Sequence, residues 1–285
     1  MKENNPKPKK RWKKILLFLI LCTIFFYLYI RYLEPNWLTI QEQAIYDENL
    51  PFSFDGLKIT HFSDILYGET IQEKNVSKLV TKINELNSDI VLFTGDLLND
   101  RYELKEQDIT LLKENLKKIH ANIKKYAIIG DNDASNKALY LEILTASDFL
   151  VLDNQNDLLY HEGNDPILFI GTSSIKEQLI NIENAQYREN EPVTSYYTIW
   201  LSHEPTIINQ NITPNLIFAG HTLKGLTSLP FKGYLLNQKE INEFTGNQYQ
   251  KKDTKMYISN GIGTYKFPIR FLNPPTIHFY RLYKN

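Results

Sequence analysis

SDIVLFTGDLLND, residues 88–100, has the pattern on which the rest of the chain is built. Ile90 to Phe93 is a short continuous run of β-branched and aromatic residues bounded by polar ones, as in a strand buried on both faces. Gly95 and Asp96 follow at once, so a carboxylate stands where the backbone leaves the sheet. Open α/β folds present their functional groups at such strand ends. Four other apolar runs end alike: Leu57–Phe62 runs into Ser63-Asp64, Tyr126–Ile129 into Gly130-Asp131-Asn132-Asp133, Ile199–Leu201 into Ser202-His203, and Leu216–Ala219 into Gly220-His221. Taken singly, each Asp is an ordinary turn or helix-cap residue and each His an ordinary hydrogen-bonded one. Together, Asp64, Asp96, Asp131, His203 and His221 are expected to be metal ligands, because oxygen and imidazole donors converging from rigid elements suit a divalent cation.

Between these strands the periodicity changes. Val76, Leu79, Val80, Ile83 and Leu86 fall at helical spacing after the first strand, and Ile109, Leu112, Leu116 and Ile119 after the second; Asn136 to Thr145 predicts a third, shorter helix. Further on the strands crowd together. Leu158–His161 and Ile167–Ile170, separated by Gly163 and Pro166, predict a hairpin, and Thr276–Leu282 a final strand. Helices in the first half and extra strands in the second point to an α/β fold of two face-to-face sheets with helices outside.

The N-terminus reads differently. Seven Lys or Arg residues within positions 1–14 precede Ile15 to Ile30, which is apolar apart from Cys22 and Thr23. Trp12 before the run and Tyr27, Tyr29 and Tyr32 near its end are interfacial aromatics, so 15–33 is expected to be a transmembrane signal anchor. No small residues near Tyr29–Tyr32 suggest cleavage, and Leu21 before Cys22 does not fit a lipoprotein site. The positive cluster, 1–14, is expected in the cytoplasm and the remainder outside the cell membrane, with 34–50 as a linker and 51–285 as one domain. With 42% hydrophobic and 23% charged residues and a formal net charge of -1, the chain has no global field suited to nucleic acid. Its one cysteine excludes an intrachain disulfide or a cysteine-based zinc site.

From about Leu57 onward the chain resembles the calcineurin-like metallophosphoesterases, in particular their bacterial membrane-associated branch. That family reads Asp-x-His, Gly-Asp-x-x-Asp/Asn, Gly-Asn-His-Asp/Glu, a separate His, and Gly-His-x-His. The matching stretches here are Asp64-Ile65-Leu66, Gly95-Asp96-Leu97-Leu98-Asn99, Gly130-Asp131-Asn132-Asp133, His203 and Gly220-His221-Thr222-Leu223. Met256–Thr264, Pro268–Phe271, Pro274-Pro275 and Leu229-Pro230-Phe231 also resemble that branch. The resemblance implies a four-layer α/β/β/α sandwich with a two-metal centre on its strand tips. By it, the first metal would be held by positions 64, 66, 96 and 223, and two of these are leucine. The second would be held by Asp96, Asp131, His203 and His221, all able to ligate. Asn132 stands where the family has the His that protonates the leaving group, and Asp133 at its terminal acid, whose usual role is to orient ligands.

Two cations about 3.5 to 4 Å apart normally clamp the attacking and leaving oxygens of a phosphoryl transfer. The departures therefore imply one manganese, iron or zinc ion per chain, and impaired general-acid catalysis. The expected function is membrane-anchored, metal-dependent hydrolysis of a phosphodiester or phosphomonoester, lipid-linked or envelope-derived; the alternative is a metal- or phosphate-binding regulatory module. Lys224, following Leu223, offers a charge to replace the missing cation, although a solvated loop lysine explains it as well. His61, His120, His161 and His278 lie away from the tips and read as structural.

Overall fold

The computed structural model describes residues 11–285 other than 69, 189–191, 226, 227, 230–232, 235–242, 245, 266 and 267. Most of the basic cluster and Pro230-Phe231 fall outside the described residues. The helices are α1 (Arg11–Leu28), α2 (Glu73–Glu85), α3 (Glu106–Lys117), α4 (Lys137–Ala146) and α5 (Ile182–Gln186). The strands are β1 (Thr39–Asp47), β2 (Lys58–Phe62), β3 (Ile90–Phe93), β4 (Lys124–Ala127), β5 (Leu150–Val151), β6 (Gln155–Leu159), β7 (Ile167–Gly171), β8 (Tyr197–Ser202), β9 (Leu216–Ala219), β10 (Ser228–Leu229), β11 (Gly233–Tyr234), β12 (Gln248–Lys251), β13 (Thr254–Ile258) and β14 (Thr276–Lys284).

Two six-stranded sheets form, in the orders β1-β14-β2-β3-β4-β5 and β12-β13-β9-β8-β7-β6, beside a small β10-β11 ribbon. β2, β3 and β4 are mutually parallel, as are β7, β8, β9 and β13. The period of two divides each strand between layers. On β3, Ile90 and Leu92 join the core between the sheets, with Ile199, Leu201, Leu216 and Phe218 from the second sheet. Val91 and Phe93 face the other way, onto Val76, Leu79, Val80 and Ile83 of α2 and Leu112 and Leu116 of α3. On the far face of the second sheet, Trp200, Ile217 and Met256 pack beneath Ala185 of α5 and Ile207 and Ile208. The four layers are present; the outermost is thin among the described residues, because α5 has five residues. The predicted hairpin is β6 paired antiparallel with β7.

One stretch departs from its reading. Residues 39–47, within the expected linker, form β1, which pairs in parallel with β14 along its whole length, from Thr39 opposite Thr276 to Asp47 opposite Lys284. As an edge strand it is mostly exposed and its sequence, TIQEQAIYD, lacks a strong apolar alternation. The domain's sheet thus begins almost at the foot of the N-terminal helix. That helix runs on through residues 29–36 by a π-helical and a 3₁₀ turn. Arg11–Asn36 is 26 residues with a mean hydropathy of 2.2 in its most apolar window, none of which is buried. It is long and apolar enough to cross a membrane.

Candidate metal centre

Because the parallel strands of both sheets end at one edge, the tips of β2, β3, β4, β8 and β9 converge. Glycine makes the convergence possible where two loops touch. A Cβ on Gly95, which has φ +86°, would stand 2.6 Å from the Gly130 nitrogen, so the Asp96 and Asp131 loops pass back to back only without side chains there. Asp133 pins the same junction: its carboxylate accepts the backbone N–H groups of Asp96 (2.7 Å), Leu97 (3.0 Å), Leu98 (3.2 Å) and Gly130 (3.1 Å). Burial and the neighbouring Asp96 push the Asp133 carboxyl up, to about 8, against the pull of those donors.

All five expected ligands meet. His203 Nε2 lies 3.0 Å from Asp131 Oδ1, 3.3 Å from Asp96 Oδ2 and 4.0 Å from Asp64 Oδ1. His221 Nδ1 lies 3.0 Å from the same Asp131 oxygen. Asp64, Asp96 and His203, and likewise Asp131, His203 and His221, place ligand atoms within 4.8 Å of one another. The other nitrogen of His203, Nδ1, sits 2.7 Å from the Thr94 carbonyl oxygen, so it donates and leaves Nε2 as a lone pair in the neutral ring. That Nε2 is buried, with no hydrogen-bond partner among the described residues. An acceptor nitrogen facing three carboxylates requires a positive charge between them, either a proton or a metal ion, so the donor set fits a divalent cation.

The electrostatics agree with that geometry. Burial works against charge on His203, but the surrounding Asp96, Asp131 and Asp64 raise its pKa well above the ordinary value. Burial pushes Asp131 up, yet the His203 and His221 rings outweigh it and hold this carboxyl well below the usual range. Asp64 rises to about 6, mainly through burial, with His203 pulling it down and Asp96 pushing it up.

Two of the four places of the first family position are apolar. Leu66 and Leu223 are buried against each other with Tyr265 beside them, and both line the cleft. The Asn132 side-chain amide donates to Asp96 Oδ2 and its backbone N–H to Asp96 Oδ1 at 2.9 Å, so Asn132 holds both oxygens of that carboxylate, and its amide carries no transferable proton. The cleft holds about 30 Å³, room for an ion or one or two waters, and is lined by Asp64, Leu66, Asp96, Asp131, Asn132, Lys176, His221, Thr222, Leu223 and Tyr265.

Lys176 is the residue that reading the sequence missed. Its ammonium is ion-paired with Asp131 Oδ2 at the cleft mouth, and this contact raises its pKa in spite of partial burial, which acts the other way. It follows β7, whose apolar run also ends in Gly171 at the same edge; reading β7 as a hairpin strand drew attention away from its tip. Lys224, by contrast, donates to Asn247 Oδ1 at 2.9 Å and does not line the cleft. His61 is buried with Nε2 2.9 Å from Thr94 Oγ1, and His278 pairs in register with it across β2 and β14. His120 is exposed and His161 lies beside Phe54, away from the site.

Comparison with known proteins agrees with this architecture. Residues 57–252 match the calcineurin-like phosphoesterase family. The chain is 29% identical over 263 residues to the uncharacterized metallophosphoesterase YkuE of Bacillus subtilis, covering 90% of this chain and 89% of that one. It is 25% identical to a transmembrane protein with metallophosphoesterase domain of Danio rerio, over 78% of this chain and 52% of the relative. It is also 22% identical to the UDP-2,3-diacylglucosamine pyrophosphatase LpxG of Chlamydia muridarum, over 91% and 93% of the two chains.

Proposed function

Since the chain belongs to the calcineurin-like phosphoesterase family, we propose that it is a membrane-anchored hydrolase with a single-metal site, acting on a phosphate linkage carried by a lipid or envelope amphiphile. The observation that carries this reading is His203 Nε2, buried and unpartnered among Asp64, Asp96 and Asp131, with His221 on the same Asp131 oxygen. A divalent manganese, iron or zinc ion held by Asp96, Asp131, His203 and His221, with Asp64 alongside, would supply Lewis acidity to a phosphoryl group. We place the basic N-terminus in the cytoplasm and the catalytic domain outside.

The protein's own side chains narrow the chemistry. Lys176 brings an ammonium to the cleft mouth, where it can shift from Asp131 to a non-bridging phosphoryl oxygen and stabilise charge there. Asn132 cannot protonate a departing alkoxide, and a positioned general acid normally contributes roughly 10² to 10⁴ in rate. The linkage best suited to this site therefore has a leaving group that departs as a stable anion, as in a phosphoanhydride or an activated ester. A relative named for a lipid pyrophosphatase activity supports that preference.

The test uses the purified full chain in detergent, supplied in turn with manganese, iron and zinc. Hydrolysis of a pyrophosphate diester should exceed that of an alkyl phosphodiester and monoester, and Asp96→Asn should abolish it. Absence of metal-dependent turnover on all three substrates would favour the second reading, a regulatory module binding metal or phosphate. The observation behind that reading is the buried Leu66–Leu223 contact, at two positions where the resemblance expects histidine.

A further inference from the structure

We propose that the loop from Pro268 to Leu272 is a second membrane contact, a rigid apolar wedge that enters the bilayer beside α1 and holds the cleft at headgroup depth. The loop is built onto the helix. The Arg270 backbone N–H donates to the Ile30 carbonyl at 3.0 Å, and the Phe271 ring meets the Phe26 ring edge-on at 5.2 Å. Phe26 lies four residues inside Ile30, the last residue of the apolar run, so Phe271 reaches roughly 6 Å further along the helix axis, into the hydrocarbon level. Leu272 beside it is 53% exposed and held at φ 53°, a left-handed backbone that leucine adopts only under constraint. An exposed surface turn would place Asn or Gly there. Tyr32, Leu33 and Trp37 at the foot of the helix are also exposed.

The constraint is visible. Arg270 is fully buried, and its guanidinium donates to the carbonyls of Asn260, Gly261, Gly263 and Asn273. Asn273 in turn takes its backbone N–H to Glu34 Oε1 at 2.6 Å and its side-chain amide to the Leu223 carbonyl at 2.7 Å. Leu223 walls the cleft. One residue thus joins the foot of the membrane helix to the cleft wall, and the bilayer is the occupant continuous with α1. A phosphate group reaching this cleft from a membrane amphiphile need not leave the headgroup layer.

The inference rests on α1 crossing the membrane, and one measurement separates the two. The full chain is reconstituted in phosphatidylethanolamine and phosphatidylglycerol vesicles with a nitroxide label at one of three positions: the native Cys22, or Leu272→Cys or Phe52→Cys in a Cys22→Ser background. Phe52 is 79% exposed beyond the far end of β1, about 25 Å from its start, and serves as the aqueous reference. Oxygen collisions should exceed those with an aqueous nickel chelate at Cys22 and at 272, placing 272 roughly 5 to 10 Å below the headgroup boundary, with the reverse order at 52. A label at 272 that behaves like the one at 52, or that is shielded from both relaxants by protein, overturns the wedge while leaving the membrane helix intact. An aqueous Cys22 overturns both, and neither result bears on catalysis. Leu272 makes an exposed side chain, so its replacement leaves folding intact; circular dichroism of the labelled protein verifies this.

Discussion

If the site holds one metal as proposed, replacing Leu66 and Leu223 together by histidine should add a second metal position. Both side chains are buried, at 1% and 6% exposure, and both line the cleft with Asp64 and Asp96. Losing two buried leucines removes about 1.5 to 3 kcal/mol of apolar stabilisation each. Part of this returns, because φ is 50° at Leu66 and 47° at Leu223, and histidine adopts the left-handed region more readily than leucine. That relief amounts to under about 1 kcal/mol each, a fraction of the ordinary left-handed penalty. The metal-free double variant should therefore be less stable by about 2 to 5 kcal/mol, a fall of roughly 4 to 20 °C in Tm for a domain of this size. Metal at about 1,000 times Kd restores about 4 kcal/mol. Elemental analysis after dialysis should find one equivalent in the wild type and in either single variant, and two in the double variant. Calorimetry in chelator and in manganese should show the Tm loss and its recovery. One equivalent in the double variant, with folding intact, would refute the claim that these leucines occupy a metal position.

The remaining predictions concern charge and burial. Lys176→Met should lower kcat/KM by about 10- to 100-fold, the worth of one charge-assisted hydrogen bond to phosphate, with Lys176→Arg partly restoring it; unchanged kinetics would reduce the lysine to a surface ion pair. Arg270→Met strands four carbonyl groups and should destabilise the fold by about 3 to 5 kcal/mol, read as a shift in urea midpoint without change in slope. His278 is fully buried, and desolvation, helped by Lys224, lowers it to about 4. Above pH 6.5 neither folded nor unfolded chain carries this proton; between 6.5 and 4 only the unfolded chain takes it up. Stability should thus fall with pH, by about 3 kcal/mol from this residue once pH 4 is reached. His61, lowered by burial and by His278, adds in the same direction. Because the raised carboxyls of Asp64 and Asp133 act in the opposite direction, the check is the difference in urea midpoint between wild type and His278→Gln from pH 7.5 to 5; equally steep profiles would refute the assignment.

How much of this was legible depends on what each residue has to signal. The strand tips were, because a buried parallel strand is a continuous apolar run and its polar terminus is unmistakable: Asp64, Asp96, Asp131, His203 and His221 form two groups that share His203. β1 was not, since its partner β14 supplies the apolar pairing and an edge strand needs little of its own. Lys176 was hidden for another reason. It lies beyond the tip of β7, and whether a loop lysine points to water or to Asp131 is decided by the path of Ser173 to Ile175, which Glu204 fixes by accepting from Ser174 Oγ and from the backbone N–H groups of Ile175 and Lys176. Nothing local to the lysine records that bond.

One backbone conformation recurs through this site, at ligand-type and apolar side chains alike. Asp64, Leu66, Asp96, His221 and Leu223 all stand at positive φ, between 47° and 67°. For Asp and His that conformation is tolerable and turns a ligand into the cleft; for leucine it is a strain with no chemistry to offset it. Strain of this kind persists only where the surroundings enforce it. Here they do: the backbone N–H of Leu66 donates to the Asp96 carbonyl at 3.0 Å, and Asn273 holds the Leu223 carbonyl. The same loops that position Asp64 and His221 therefore dictate the path at 66 and 223 whatever residue is there. Releasing the leucines from it would disturb the remaining ligands, whereas an apolar contact between them keeps the loops closed. On this argument the Leu66–Leu223 pair acts as a structural clasp for the proposed metal position, and truncating either to alanine should weaken metal binding as well as stability. If Leu66→Ala and Leu223→Ala lose stability but bind manganese with wild-type affinity, the two loops are held by hydrogen bonds alone and the clasp has no part in the site.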